Sequence, residues 1–148
     1  MSVTENYLSP SEVLLYQQRL NNADTAFGHG SAYNAYQQSL LDNSYNANLN
    51  DARRQWAQSF LRTQGGFAHR NLGESGIYHQ ALQNWKMNKD NAFGVMGRNY
   101  QTAAGGLGYQ QQNLADQRDS SMNQTNLERE ARQNDYATQI RAMQGVQG

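Results

Sequence analysis

The sequence contains no cysteine, one proline and only two lysines among its 148 residues. Without cysteine, the chain forms no disulfide, offers no thiolate nucleophile and builds no cysteine-based zinc site. Charged residues make up 16% of the chain, against about 25% in typical domains. The 12 Lys and Arg balance the 12 Asp and Glu. This neutrality argues against a dedicated DNA-binding protein, because such a protein needs a basic excess to release counterions from phosphates.

The sequence also lacks long apolar runs. The longest is Val13–Tyr16, far below the ~18 residues that a membrane-spanning helix needs. The start of the chain, residues 1–5, has neither the basic nor the apolar region of a signal peptide. We therefore expect no membrane segment and synthesis in the cytoplasm of the producing cell.

The polarity of the chain comes instead from side-chain amides. The sequence has 19 Gln and 17 Asn, together with 9 Tyr, 4 Phe and 2 Trp, and its apolar fraction is 37%, below the roughly 45–50% of globular domains. The aromatic residues recur at helical spacing, and amides can hydrogen-bond across helix contacts without the cost of burying a charge. The sequence predicts an all-α fold of extended long helices, with no compact globular core and completed by oligomeric or partner contacts.

The sequence clearly predicts one helix start. Ser9 can cap the helix, Pro10 suits the first helical position, and Glu12 stands three residues after the cap, as in a capping box. We expect a short arm over residues 1–9 and a helix from Pro10 onward.

Glycines interrupt the helical pattern at Gly28–Gly30, Gly65–Gly66 and Gly105–Gly108. Because glycine commonly ends helices, each cluster is predicted as a break. Ser31 is then expected to cap the helix after the first break, and Ser75 the helix after a tight corner. The predicted regions are an N-terminal arm 1–9, a hairpin or extended helices over 10–64, a corner plus long helix over 65–104, a polar helix over 105–144 and a disordered tail over 145–148.

Large side chains form stripes along the predicted helices that follow Ser31 and Ser75. From Tyr45 to Phe60 the apolar positions step by four, three, four and four residues, which is nearer an 11-residue than a 7-residue repeat. A protein interface or a core is the favoured interpretation, because such contacts favour aromatics with a polar atom; a base-stacking or carbohydrate platform is the alternative. The predicted contact residues are Tyr33, Tyr36, Tyr45, Leu49, Trp56, Phe60, Ile77, Trp85, Phe93, Met96 and Tyr100.

Several segments resemble chemical motifs superficially. His69 and His79 flank the corner with Glu74, but no two of them have the i,i+4 spacing of helix-borne metal ligands. The serine of the Gly-Glu-Ser-Gly string at Ser75 follows no readable strand, so a helix cap explains it better than a nucleophile elbow does. Gly105–Gly108 lacks the strand and the Lys-Ser/Thr pair of a phosphate loop. We therefore predict no catalytic, cofactor or metal site, no small-molecule substrate and no enzymatic activity.

The corner carries a resemblance to a known class of proteins. The run from Arg70 to Leu82, RNLGESGIYHQAL, resembles a pattern in small helical virion proteins of tailed bacteriophages, particularly those infecting actinobacteria. The Gln-rich helical texture of the remaining chain is loosely similar. The resemblance implies a structural role in capsid or tail and transfers no catalytic residue.

These observations together predict a non-enzymatic virion protein, present in several copies and lining or bracing a portal, tail or capsid interior. Its partners would be other virion proteins and copies of itself, with incidental contact to packaged DNA. Two alternatives remain open. One is an internal protein ejected with the genome, and the other is a helical adaptor that binds one partner through helix-in-groove contacts.

Overall fold

The computed structural model describes residues 7–70 and 75–147. Two helices account for nearly all of these residues: α1 over Pro10–His69 and α2 over Gly76–Gln147. They contain 60 and 72 residues. The all-α prediction is confirmed, because no strand occurs in the described ranges.

Serine caps define where both helices begin. Ser9 Oγ accepts a hydrogen bond from the Glu12 backbone N–H at 3.2 Å, and Ser75 Oγ accepts one from the Tyr78 backbone N–H at 3.1 Å. Each bond satisfies one of the N–H groups that the first helical turn leaves without a partner. The caps predicted at Ser9 and Ser75 are therefore confirmed.

The three predicted breaks are wrong. Helix α1 continues through Gly28–Gly30 and Gly65–Gly66, and α2 continues through Gly105–Gly108. Glycine ends a helix by taking a left-handed conformation, and no glycine within these helices adopts a positive φ. An interior glycine costs about 1 kcal/mol relative to alanine, which is less than the cost of nucleating a new helix.

Two further boundary predictions differ from the structure. Ser31 lies inside α1 instead of capping a new helix, and the tail predicted as disordered from residue 145 is helical through Gln147. Parts of the predicted arm, corner and tail, namely residues 1–6, 71–74 and 148, lie outside the described residues.

The contacts divide the chain into two units. The terminal unit comprises Met1–Asn34 and Tyr109–Gly148, and the central unit comprises Ala35–Gly108. In each unit a segment of α1 pairs with a segment of α2 in antiparallel fashion. In the terminal unit Arg19 contacts Glu128 and Asn34 contacts Gln111. In the central unit Tyr45 contacts Tyr100 and Phe67 contacts Tyr78.

Burial differs between the units. Four described residues are buried, Leu8, Tyr16, Asn34 and Thr125, and all four belong to the terminal unit. The aromatic side chains that link the helices of the central unit remain half-buried. Two of the four buried residues are polar, so hydrogen bonding accompanies apolar packing in the terminal unit.

Half-buried positions recur every 11 residues on both helices. The stripe predicted from Tyr45 to Phe60 lies on one half-buried face of α1. An 11-residue repeat corresponds to 3.67 residues per turn, close to the 3.6 of an unperturbed α-helix. One such series in the central unit is Tyr45, Trp56 and Phe67 on α1, with Tyr78, Lys89 and Tyr100 on α2.

Candidate functional site

An indole cluster lies in the middle of the central unit and consists of Trp56, Phe60 and Trp85. The ring centroids of Trp56 and Trp85 are 6.2 Å apart at an interplanar angle of 73°, and those of Phe60 and Trp85 are 5.1 Å apart. Edge-to-face and tilted arrangements of this kind place positive ring edges against negative ring faces. The cluster joins α1 to α2 by contacts between rings.

Lys89 extends the indole cluster with a charge. Its Nζ lies 4.9 Å from the centroid of the Trp85 ring, within the ~6 Å range of cation–π attraction. The Trp85 Nε1–H is buried and has no hydrogen-bond acceptor within the described ranges. A buried donor without an acceptor is uncommon in native structures, so this edge of the cluster has unused hydrogen-bonding capacity.

An open groove of about 480 Å³ lies beside the indole cluster. We call it the aromatic groove. Its floor is aromatic and its other lining side chains include charges of both signs. The principal lining residues are Arg53, Trp56, Trp85, Lys89, Asp90 and Phe93.

A second aromatic contact in the central unit includes a carboxylate. The Tyr45 and Tyr100 rings stack with centroids 4.5 Å apart, and Tyr100 Oη donates a hydrogen bond to Asp42 Oδ1 at 2.5 Å. Gln38 Nε2 donates to the same Asp42 oxygen at 2.9 Å. The hydrogen bond to Asp42 is the main reason that the pKa of Tyr100 is raised, and burial of the phenol adds to it. The neutral phenol is therefore the form that suits this site.

Another ring contact of the central unit joins Phe67 of α1 to Tyr78 of α2, with centroids 5.2 Å apart. Neither residue was predicted as a contact residue. A signal was available, since Phe67 follows Trp56 by 11 residues and Tyr78 precedes Lys89 by 11 residues. The repeat predicts both positions once it is extended beyond Phe60.

In the terminal unit, charged and polar side chains join α1 to α2, whereas aromatic rings join the helices in the central unit. Tyr136 Oη donates a hydrogen bond to Glu12 Oε1 at 2.8 Å, Arg132 Nε donates to Glu12 Oε2 at 3.3 Å, and Ser9 Oγ donates to Glu12 Oε1 at 3.1 Å. We call these four residues the Glu12 clasp. The clasp lowers the pKa of Glu12, chiefly through the Tyr136 hydrogen bond. Burial of the carboxyl acts in the opposite direction and raises it.

Amides connect the helices further along the terminal unit. Asn34 Nδ2 donates to Gln111 Oε1 at 3.1 Å, and Gln111 Nε2 donates to Ser31 Oγ at 2.8 Å. These bonds agree with the expectation that amides can link closely approaching helices without burying charge. The nearby Arg118 guanidinium lies 4.1 Å from the centroid of the Phe27 ring, a contact that was not predicted.

The predicted contact residues fall into two groups. Five of them make ring contacts between α1 and α2 within the central unit, in two separate sets: Tyr45 with Tyr100, and Trp85 with Trp56 and Phe60. Of the others, Phe93 lines the aromatic groove, Leu49 and Met96 are half-buried, and Tyr33, Tyr36 and Ile77 are 62%, 60% and 65% exposed. The structure thus brings five of the eleven together and leaves three facing outward.

The residues weighed for metal binding do not converge. His69 ends α1 and His79 lies in α2, both exposed, while Glu74 lies outside the described residues. No group of three or more potential His, Asp or Glu ligands occurs in the described part of the chain. Ser75 Oγ serves the helix cap described above.

No stretch of either described helix is apolar and long enough to cross a membrane. Comparison with known proteins finds no protein-family model, no curated protein and no solved structure that matches this chain.

Proposed function

We propose that this chain is a non-enzymatic structural component of a multi-chain assembly, and that the assembly is the particle of a tailed bacteriophage. The observation that carries the assembly role is the number of large apolar side chains left on the surface. Twelve of them are 45–76% exposed. They are Leu14, Leu15, Tyr33, Tyr36, Leu40, Leu61, Ile77, Met87, Val95, Tyr109, Leu127 and Met143.

The balance of burial supports this role. Only two apolar residues are buried, Leu8 and Tyr16, and no side chain within the described ranges is fully enclosed. Full burial of a large apolar side chain contributes about 1.5–3 kcal/mol. Neighbouring chains that cover part of the exposed set would supply stabilisation that these helices do not obtain from each other.

The helical surface fits a scaffold better than a ligand site. The exposed apolar residues are distributed along both helices and both units, as required for contacts with several neighbours. The amide-rich remainder of the surface allows hydrogen bonds to these neighbours with little net charge to repel identical copies. Other virion proteins and copies of this chain are the proposed partners.

The assignment to a virion rests on the resemblance of the Arg70–Leu82 run and of the Gln-rich helices to phage structural proteins. In the proposed role, the protein is made in the host cytoplasm and lines or braces a portal, tail or capsid interior. The neutral composition is compatible with incidental contact to packaged DNA.

Mass spectrometry of purified particles, with absolute copy number, tests this role directly. We expect the protein in several copies per particle, retained after gradient purification. Absence from the particles, with the protein found only in infected-cell lysate, contradicts the virion role. Comparison of full particles with particles emptied of DNA distinguishes a lining component, which stays, from an ejected protein, which is lost.

Measurements on the purified chain test the assembly role independently. We expect light scattering to show self-association that increases with concentration, because the exposed apolar residues then become covered. A strictly monomeric and cooperatively melting protein contradicts self-assembly and favours an adaptor that binds one partner.

A further inference from the structure

The aromatic groove in the central unit has two charged lining residues that form no ion pair among the described residues. Arg53 and Asp90 are exposed and line the groove, and neither forms an ion pair with another described residue. By contrast, Asp51 and Arg54, also on the central unit, pair with each other at 2.6 Å. The groove therefore has an unpaired cation and an unpaired anion beside an aromatic floor.

Charges of both signs on one surface suit a symmetric contact between identical chains. In a two-fold dimer the same patch meets itself, so each residue of the patch faces a different residue of the same patch on the other copy. A patch of one sign would repel itself in that arrangement. A patch that contains Arg53, Lys89 and Asp90 can place opposite charges together on both sides of the two-fold axis.

The floor of the groove provides the apolar part of such a contact. Trp56, Trp85 and Phe93 line it, and Trp and other aromatic residues are enriched at the centres of protein interfaces.

We propose that a second copy of this chain docks on the aromatic groove by a two-fold symmetric contact, in which Asp90 of one copy faces Arg53 of the other. The contact deepens the proposed assembly role and rests on it, since it names copies of this chain as one of the partners. Its aromatic floor supplies apolar burial, and the reciprocal charge pairs fix the alignment of the two copies.

Charge reversal at the two exposed residues tests this arrangement in the full chain. Arg53→Glu places two carboxylates together at each end of the contact, and Asp90→Arg places two guanidinium groups together. We expect each substitution alone to weaken self-association by about tenfold or more, because juxtaposed like charges are strongly unfavourable. Sedimentation velocity over a concentration series measures the change in dissociation constant.

Recombining the substitutions gives the decisive readout. The Arg53→Glu/Asp90→Arg double variant has the charges exchanged, and we expect its self-association to return to within about threefold of the original, since complementary pairs form again. Mixing the two single variants is expected to give a heterodimer that neither variant forms with itself. Additive weakening in the double variant would overturn the proposed pairing.

Two control substitutions distinguish the groove from general surface effects. Lys86→Glu makes the same type of charge change at an exposed position of α2 that does not line the groove, and we expect no change in association. Glu130→Arg alters a separate groove in the terminal unit. Loss of association with Glu130→Arg, but not with Asp90→Arg, would overturn the assignment to the aromatic groove.

These experiments distinguish failure of the docking surface from failure of the proposed structural role. If the chain self-associates and is found in particles, yet the Arg53 and Asp90 variants associate normally, the docking surface is wrong and the structural role stands. If the chain is monomeric at all concentrations but present in particles, the second-copy occupant is also overturned. Circular dichroism of each variant verifies that helicity is retained, as expected for exposed positions.

Discussion

The two units solve the same problem, the joining of α1 to α2, with different side chains. One series of positions, spaced 11 residues apart along α1, has polar or small residues in the terminal unit and aromatic residues in the central unit. It runs through Glu12, Ala23 and Asn34 in the first unit and through Tyr45, Trp56 and Phe67 in the second.

The difference has consequences for burial. Small and polar residues allow close approach in the terminal unit, where a Cβ on Gly30 would lie 2.8 Å from Leu114 Cδ2, and this unit contains the four buried residues. The larger rings of the central unit leave it with half-buried clusters and the aromatic groove. The half-buried rings of the central unit are of the residue type that protein interfaces favour.

The largest expected effect comes from removing the indole at the centre of the central unit. Trp85→Ala loses the ring contacts with Trp56 and Phe60, and we expect a loss of about 3 kcal/mol in the free energy of unfolding, near the lower end for large aromatic truncations because the ring is half-buried. Urea denaturation followed by circular dichroism at fixed protein concentration measures it.

Tyr109→Ala is the matched control in the terminal unit, since Tyr109 is 76% exposed. We expect a change within about 0.5 kcal/mol in the free energy of unfolding. Equal losses of unfolding free energy for Trp85→Ala and Tyr109→Ala would show that ring contacts do not stabilise the central unit. The difference in side chains between the units would then have no effect on stability.

The next effect tests close approach in the terminal unit with two neighbouring glycines. Around Gly28 a Cβ would meet nothing within 4 Å, whereas at Gly30 it would meet the Leu114 methyl groups at 2.8 and 2.9 Å. We expect Gly28→Ala to stabilise the protein by about 1 kcal/mol through helix propensity. We expect Gly30→Ala to cancel that gain or reverse it, since overpacking costs about 1–3 kcal/mol.

Thermal melting of both variants measures this difference. The Gly30→Ala/Leu114→Ala double variant provides the internal check, because removing the Leu114 methyl groups relieves the contact with the new Cβ. Equal stabilisation by Gly28→Ala and Gly30→Ala would mean that Leu114 can move aside without cost, and that close packing does not distinguish the terminal unit.

The smallest effect is a dependence on pH from the Glu12 clasp. Because the pKa of Glu12 is lowered in the folded chain, the clasp stabilises the protein above the usual carboxyl pKa of about 4.3. That contribution is lost as the pH falls through the lowered pKa. We expect a decrease in melting temperature toward acid pH that is smaller in Glu12→Gln.

Glu130→Gln is the control for this prediction, since Glu130 is an exposed carboxylate of the same unit without an ion-pair partner among the described residues. Its acid dependence should match that of the unaltered chain. If Glu12→Gln retains the full acid dependence, the clasp contributes nothing measurable and the terminal unit is stabilised by packing and amides alone.

The sequence predicts the helix starts better than the helix ends. Ser9 and Ser75 were identified because a capping serine acts within one turn of its own position, and both act as predicted. The glycine clusters were misjudged because a glycine ends a helix only where it turns left-handed, and inside a helix it costs about 1 kcal/mol. At Gly30 the nearby Leu114, distant in sequence, explains why a residue without a Cβ lies inside the helix.

The candidate site shows a similar limit. The spacing of Tyr45, Trp56 and Phe60 predicts a shared face of α1, and the structure places these residues on one. The pairing of Trp56 with Trp85 joins two helices, and the spacing of residues within one helix does not specify how the two helices align. For the same reason, the aromatic groove and the unpaired charges of Arg53 and Asp90 were not predicted.

The continuity of α1 from Pro10 to His69 limits which insertions and deletions the protein can tolerate. An uninterrupted helix has no loop in which an extra codon can be accommodated, and one inserted residue turns everything after it by about 100° around the axis. An insertion between Trp56 and Phe60, for example, would point Phe60 away from Trp85. Viable length variants should therefore gain or lose whole turns, in both helices together.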